Sequence, residues 1–259
     1  MTDYKPSKFW EYLSRQCDDY LIKYGYENFK RSVGVVYNNY YVDDKNQLHD
    51  NYELKVKEFW DYLYKNLPNE ILDRFSEPLV GNPLGIIYNG RFVSIDLGVS
   101  IAEYYFLYKH IDFSKVFTIH EIGGGYGRTA YVISQLHPDV VYRLYDIEPA
   151  LGLAKRYLSD VLPNKKFEFY TPDKLSQKCD LFLALDCLHE MTKEQVENYF
   201  EYANWNASYF YYTCWKETFV PHDNITWGIS DYPVRDTWKK LALRSHFTRD
   251  KFFEALYEI

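Results

Sequence analysis

The chain has 259 residues, 47% hydrophobic and 26% charged, enough for one large α/β domain with an N-terminal elaboration. Its net charge of −7, with no basic block, argues against nucleic acid as the main partner, because phosphate contacts need clustered Lys and Arg. No run approaches the roughly eighteen apolar residues that suggest a membrane span. Met1 to Pro6 shows no signal-peptide core, so a cytoplasmic location is expected.

Residues 1–75 read as a helical extension. Phe9, Trp10, Leu13, Cys17, Tyr20 and Leu21 recur at helical spacing, as do Leu54, Val56, Phe59, Trp60, Leu63 and Leu67 between Glu53 and Pro68. Asp43 to Asp50 is polar and loop-like. No chemistry is visible here, and the roles open to the extension are a lid, a homodimer surface or packing. From residue 76 the second unit begins. Turn signals from Glu77 to Gly85 precede a hairpin over Ile86–Ile95 with Asn89-Gly90 at its tip. Ser100 to His110 then reads as a helix.

From Phe117 the alternation is regular. Strands are predicted at Phe117–Ile122, Val140–Asp146, Phe167–Tyr170, Asp180–Leu185 and Tyr209–Thr213. Helices are predicted at Arg128–Leu136, Pro149–Leu162 and Lys193–Tyr202. Strands alternating with helices mean a parallel, Rossmann-like sheet covered on both faces. Beyond it, 219–234 reads as loop-rich, Arg235–Leu243 as a helix and Phe252–Glu258 as an edge strand.

The first core strand runs into Glu121-Ile-Gly123-Gly124-Gly125-Tyr-Gly127, four glycines in five positions before a helix. Glycine permits the sharp turn and a close approach of backbone to ligand, and the helix points its free N–H groups at the turn. Two cofactors compete for such a corner. Gly125-x-Gly127-x-x-Ala130, with Asp146 about twenty residues on, satisfies a dinucleotide pattern and would make the protein an NAD-dependent oxidoreductase. An acid two residues before the first glycine, Glu121, suits instead S-adenosylmethionine (AdoMet), which carries a cationic sulfonium and no pyrophosphate. A glycine turn without ligand is the third reading.

Open α/β sheets bind ligands at the carboxyl ends of their strands. There Asp146 suits paired ribose hydroxyls or caps the next helix, Ile147 suits the adenine face, and Thr171 and Asp173 either reach the adenine or cap. Asp186, His189 and Glu190 follow the fourth strand, which ends at Leu185, and form the densest polar set. A hydroxyl acceptor needs a general base, and His189, oriented by Asp186 or Glu190, is the first candidate. His222 with Asp223 is its rival. These scattered side chains also allow, without favouring, a divalent metal site. The other histidines, His49, His110, His120, His137 and His246, and the cysteines, which lack C-x-x-C spacing, are read as structural.

Glu121–Ala130, Tyr145–Leu151 and Leu185–Met191 together resemble class I AdoMet-dependent methyltransferases. More narrowly, the stretch from about Val80 onward is similar to the bacterial sugar O-methyltransferases of surface-polysaccharide clusters. That resemblance implies a mostly parallel seven-stranded sheet with a C-terminal antiparallel strand inserted. It implies AdoMet as cofactor, held by Glu121, Gly123, Gly124, Gly125, Gly127, Asp146, Ile147, Asp173, Leu185 and Asp186. It also implies a small saccharide or nucleotide-linked acceptor. Because the segment before the first strand covers the cofactor in many such enzymes, Asn82, Tyr88, Asn89 and Arg91 become candidate substrate or cofactor contacts, with a purely structural hairpin the alternative, and Lys216 beyond the fifth strand joins the substrate candidates. An anionic acceptor, a phosphate or phosphoramidate oxygen, would need less base and more cations, from Arg91, Lys216 or Arg235. A non-catalytic binding module on the same fold remains a further alternative.

Overall fold

The computed structural model describes residues 4–31 and 51–259; Asp43–Asp50 and His49 lie outside the described residues. Two short strands, β1 (Ile86–Tyr88) and β2 (Arg91–Val93), pair as the expected hairpin. The main sheet comprises β3 (Thr118–Ile122), β4 (Val141–Tyr145), β5 (Phe167–Tyr170), β6 (Cys179–Leu185), β7 (Ala207–Trp215), β10 (Lys239–Ser245) and β11 (Phe252–Glu258). A second hairpin, β8 (Glu217–Val220) with β9 (Ile225–Gly228), stands apart from it. The seven strands run in the order β10-β11-β7-β6-β3-β4-β5. Strands β3 to β7 are parallel, and β11 lies antiparallel between β7 and β10.

Burial explains the parallel centre. β6 is apolar along nearly its whole length and buried on both faces, as strands flanked by helices must be. Helices α1 (Lys8–Tyr24), α2 (Tyr52–Asn66), α3 (Asn69–Leu72) and α4 (Ile95–His110) precede the sheet, and α5 (Arg128–Leu136), α6 (Ala150–Val161) and α7 (Lys193–Asn206) alternate with its strands. Thr192 and Gln195 start α7 with a reciprocal capping box. Among the described residues no helix is long and apolar enough to cross a membrane.

Four sequence expectations need correction. Helix α4 begins at Ile95 rather than Ser100, because the Ser94 hydroxyl caps it by accepting the Leu97 N–H. Arg235–Leu243 is not a helix: its second half lies in β10, paired with β11. Phe252–Glu258 is not an edge strand, since β10 covers its outer side. That insertion agrees with what the family resemblance implied. The 219–234 stretch, read as loop, holds the β8–β9 hairpin instead.

The N-terminal extension is bolted to the segment that leads into α4 by a buried ion pair. Lys30 Nζ lies 2.5 Å from Glu77 Oε1, with both side chains out of solvent. Glu77 also accepts the Ser94 hydroxyl at 2.6 Å, so the pair reaches the N-terminus of α4. The Lys30 ammonium sits over the rings of Tyr126 and Tyr157. Breaking such a pair strands a charge, so Lys30→Met is expected to lower stability by about 3–5 kcal/mol in urea denaturation. The double substitution Lys30→Met/Glu77→Leu should recover much of that loss. A loss under about 1 kcal/mol for Lys30→Met would show that the pair does not hold the extension.

Candidate active site

The glycine corner forms at the carboxyl end of β3. Gly123, Gly125 and Gly127 all take positive φ, and at Gly123 (φ 64°) a Cβ would lie 2.5 Å from that of Cys187. The Gly123 N–H donates to the Tyr145 carbonyl at 2.9 Å, closing the turn against the end of β4. Asp146 follows β4. One of its carboxylate oxygens accepts the Gly125 N–H at 2.9 Å, and the other accepts the Ile147 N–H at 2.7 Å. It does not cap α6, whose N-cap is Pro149 with no side-chain bond, so the capping expectation for Asp146 fails. Glu121 is buried beneath the turn, 2% exposed, and accepts the Tyr142 hydroxyl at 2.7 Å.

These two carboxyls share an electrostatic state. Burial raises Asp146 to about 7, against the opposing bonds from Ile147 and Gly125. Burial raises Glu121 to about 7 as well, with Tyr142 and Arg128 opposing and Glu103 and Asp146 adding to the rise.

A pocket opens beside them, with about 450 Å³ of space between protein atoms, its open mouth included. Gly123, Tyr145, Asp146, Ile147, Pro172 and Cys187 form its floor. Its roof comes from the N-terminal extension: Tyr4, Lys5, Pro6, Ser7 and Trp10. Asp223 fastens the roof by accepting the N–H groups of Lys8 and Phe9 at 3.3 and 2.9 Å, the ordinary way a carboxylate satisfies a helix N-terminus. The Ser7 hydroxyl donates to the Glu190 carbonyl at 3.1 Å, and the Gln195 amide donates to the Lys5 carbonyl. Further along α1, Cys17 is 3% exposed, and its thiol is pushed up to about 12 by burial, then by Asp18 and by Asp146.

The end of β6 carries the polar set. Asp186 takes a left-handed backbone (φ 59°), and its N–H donates to the Thr213 carbonyl at 2.9 Å. Its carboxylate accepts Arg249 Nη1 at 2.7 Å. His189 Nε2 lies 3.6 Å from Asp186 and 3.9 Å from Glu190, ion-pair separations rather than hydrogen bonds. The ring is 3% exposed and packs edge-on against Trp215 and Phe252. Burial lowers its pKa to about 4, with Asp186 opposing and Arg249 reinforcing. Burial and then Asp186 push the Glu190 carboxyl well above its usual range, with Trp10 bonding it in opposition. Behind them Glu103, from α4, meets Arg249 at 3.0 Å, His246 at 3.4 Å and Arg128 at 3.5 Å. Burial alone would raise Glu103, but Arg128, His246 and Arg249 outweigh it and hold the carboxyl at about 2.

Several candidates lie elsewhere. Arg91 donates to the Phe75 carbonyl at 2.7 Å and pairs with Asp73 at 2.8 Å, holding the end of α3. Tyr88 donates to Asp61 at 2.5 Å and stacks on Tyr64. Asn82 bonds Asn28 and Arg31. These three therefore tie the hairpin region to the extension and do not line the pocket. Asn89 forms the left-handed tip of the β1–β2 hairpin. His222 stacks on Phe9 and Tyr12, and its neighbour Asp223 holds α1, so the His222-Asp223 pair clasps the roof and is not built as a base. Asp173 is exposed and pairs with Lys174 at 3.0 Å, while its neighbour Pro172 reaches the pocket. Lys216, just past β7, donates its backbone N–H to the Lys251 carbonyl. Leu185 is buried at the end of β6. Sequence reasoning missed the roof residues and Arg249. Helical periodicity shows which face of α1 is buried and not what it covers, and Arg249 lies 63 positions from Asp186. Among the described residues no three His, Cys, Asp or Glu side chains gather as a metal site.

The geometry agrees with what the comparisons return. The strand order, the glycine corner and the acids at the ends of β3 and β4 define the fold of class I AdoMet-dependent methyltransferases. More narrowly, residues 100–203 match the family model described as an O-methyltransferase domain. The structure of the mitomycin 7-O-methyltransferase MmcR is similar, with TM-score 0.50 and 13% identity over 78% of this chain and 60% of that one. Also similar are the pyocyanin biosynthetic protein PhzM (TM-score 0.47, 14% identity, 62% of this chain and 56% of that one) and the magnesium protoporphyrin IX methyltransferase of Synechocystis PCC 6803 with bound SAM (TM-score 0.46, 15% identity, 85% and 98%). Comparison with curated proteins gives no match.

The raised carboxyls make a pH prediction. Folded values of about 7 lie above ordinary carboxylate values, so these two groups favour the free protein at low pH, and that contribution is lost as pH rises through 7. A ligand with ribose hydroxyls and a cationic end favours their ionised forms. AdoMet affinity should therefore rise about tenfold or more between pH 6 and pH 8, with proton release on binding. Calorimetry in buffers of different ionisation enthalpy checks both, and a pH-independent affinity would contradict it.

Proposed function

We propose that the chain transfers the methyl group of AdoMet to a hydroxyl oxygen of a small acceptor. The observation that carries this reading is the Asp146 carboxylate, held by two backbone N–H groups in the wall of the roofed pocket beside the glycine turn. The residues present fit the cofactor. Two carboxylate oxygens suit paired ribose hydroxyls, Ile147, Pro172 and Tyr145 suit the flat face of a purine, and Glu121 supplies an acid behind the turn. AdoMet, when bound, supplies an electrophilic methyl on a sulfonium leaving group.

What the chain adds is alignment and a place for the acceptor's proton. Burial keeps His189 in the neutral form that can accept one. Asp186 lies on its Nε2 side, where it can favour the imidazolium as it forms. A saccharide or nucleotide-linked precursor of a surface polysaccharide is the acceptor class we propose, on the motif resemblance of Glu121–Ala130 and Leu185–Met191. The anionic-acceptor alternative is less well supported, because Arg91 is used at α3 and Arg235 pairs with Glu197 and Glu201.

His189→Ala is expected to cut formation of S-adenosylhomocysteine by roughly 10²–10⁴-fold. AdoMet affinity should change little, since the loss belongs to the transition state. The assay uses methyl-labelled AdoMet with a panel of nucleotide sugars and free sugars. A slowing of only severalfold in a folded variant would remove His189 as the base.

We also propose that residues 4–24, through the end of α1, act as the lid of the pocket. Entry of a ligand requires the roof to lift, and Asp223 is its main latch. Hydrogen bonds to a charged group contribute about 1.5–3 kcal/mol each, so Asp223→Ala should let the roof open at least about tenfold more often. The buried Cys17 thiol reports this directly. Its alkylation by iodoacetamide, read by peptide mass, should accelerate in the variant and slow again with S-adenosylhomocysteine. Unchanged labelling in both conditions would mean that the roof is fixed.

A further inference from the structure

Insertion of β11 between β7 and β10 has a chemical consequence. Phe252 opens β11 opposite Trp215, the last residue of β7. The residues just before Phe252 are therefore delivered to the carboxyl edge of the sheet, where Asp186 ends β6. Arg249 is one of them, and its guanidinium lies 3.9 Å from the centre of the Phe252 ring. From there it donates to three oxygens on three elements: Asp186 Oδ2 at 2.7 Å, Glu103 Oε1 at 3.0 Å and Thr213 Oγ1 at 3.3 Å. The same Thr213 hydroxyl accepts the Asp186 N–H at 3.1 Å.

We propose that Arg249 is a positioning residue of the methyl-transfer site: it ties one oxygen of Asp186 to the buried Glu103 and to Thr213, and so fixes the other oxygen toward His189. The inference rests on the reading of the β6 edge as the place of methyl transfer. Asp186 Oδ1 is the oxygen on the His189 side, at 3.6 Å, while Oδ2 faces Arg249. The carboxylate is thus shared between a permanent cation and an imidazole. A fork of fixed geometry can hold several oxygens at once, which a lysine ammonium on a flexible stem cannot reproduce. The left-handed backbone of Asp186 is a strained conformation that persists only where surroundings over-determine it, and the Thr213 and Arg249 bonds do so here.

Other neighbours complete the account of His189. Glu190 lies 3.9 Å from its Nε2, and the uncharged rings of Trp215 and Phe252 pack against its faces. Cys214, a buried thiol, borders its backbone N–H. Arg249 is thus the nearby permanent cation among the groups that set the histidine's charge, and it acts both on the ring and through Asp186.

The test is a titration of His189 by NMR in protein labelled at its seven histidines, with His189→Gln supplying the assignment. In the unsubstituted protein His189 should stay neutral down to about pH 4. In Arg249→Gln, where Asp186 faces the imidazole without a competing cation, protonation should become at least about tenfold easier. Arg249→Lys should fall between, and it serves as the test if Arg249→Gln does not fold. A merely structural arginine would lower the melting temperature of both variants and leave the His189 midpoint where it was; that outcome overturns the proposal. If the midpoint moves as expected while His189→Ala leaves turnover intact, the positioning role stands and the base assignment alone fails.

Discussion

The carboxylate of Asp146 is the interaction on which the site depends. It accepts one N–H from the glycine turn and one from its own strand exit, and so fixes two loops that approach from adjacent strands. Neither donor is a side chain, so neither supplies a compensating charge. A buried carboxyl held only by dipoles keeps its proton more readily than usual, and this one does. The corner is therefore built for a ligand that brings hydrogen-bond donors to a carboxylate. That requirement fits a ribose, and it fits poorly with a pyrophosphate, which Glu121 behind the same turn would repel.

Around this corner the protein concentrates charge where the sheet ends. Glu103 and Asp186 meet Arg128 and Arg249 there, with His189 and His246 at the margins. The network draws its members from α4, α5, the end of β6 and the approach to β11, so it also locks the elements that frame the pocket. Charges buried in this way need their partners, and removing one leaves the other uncompensated. The roof answers a different need. By covering the pocket it excludes water, which strengthens every interaction beneath it. Its fastenings are the Ser7 hydroxyl and backbone groups of the first turn of α1 and the segment before it.

Much of the fold was legible in the sequence because local signals agreed with one another. Glycine turns, apolar strands and amphipathic helices alternate from Thr118 to Trp215, and α5 and β5 fall at their predicted bounds. The failure at 235–243 has a physical cause. Lys, Leu, Ala and Arg are good helix formers, and a register shift between Lys240 and Ala242 breaks the alternation that would have marked a strand. In the site, the residues that touch their own glycine turn or strand end were legible, as Glu121, Asp146 and Asp186 show. Those that arrive from afar were not: Arg249 is 146 positions from Glu103, and Asp223 is 214 from Phe9. Asn82, Tyr88 and Arg91 were misread for the complementary reason. Polar residues beside a turn look the same in sequence whether they face a ligand or a neighbouring helix.

A crystal structure of the protein grown with S-adenosylhomocysteine tests the role of Asp146 directly. It should show the ribose hydroxyls on the Asp146 carboxylate, the purine against Ile147 and Pro172, the sulfur near the end of β6, and Trp10 still over the pocket. A ligand bound away from Asp146, or a pocket that takes NAD and leaves S-adenosylhomocysteine in solution, would contradict it.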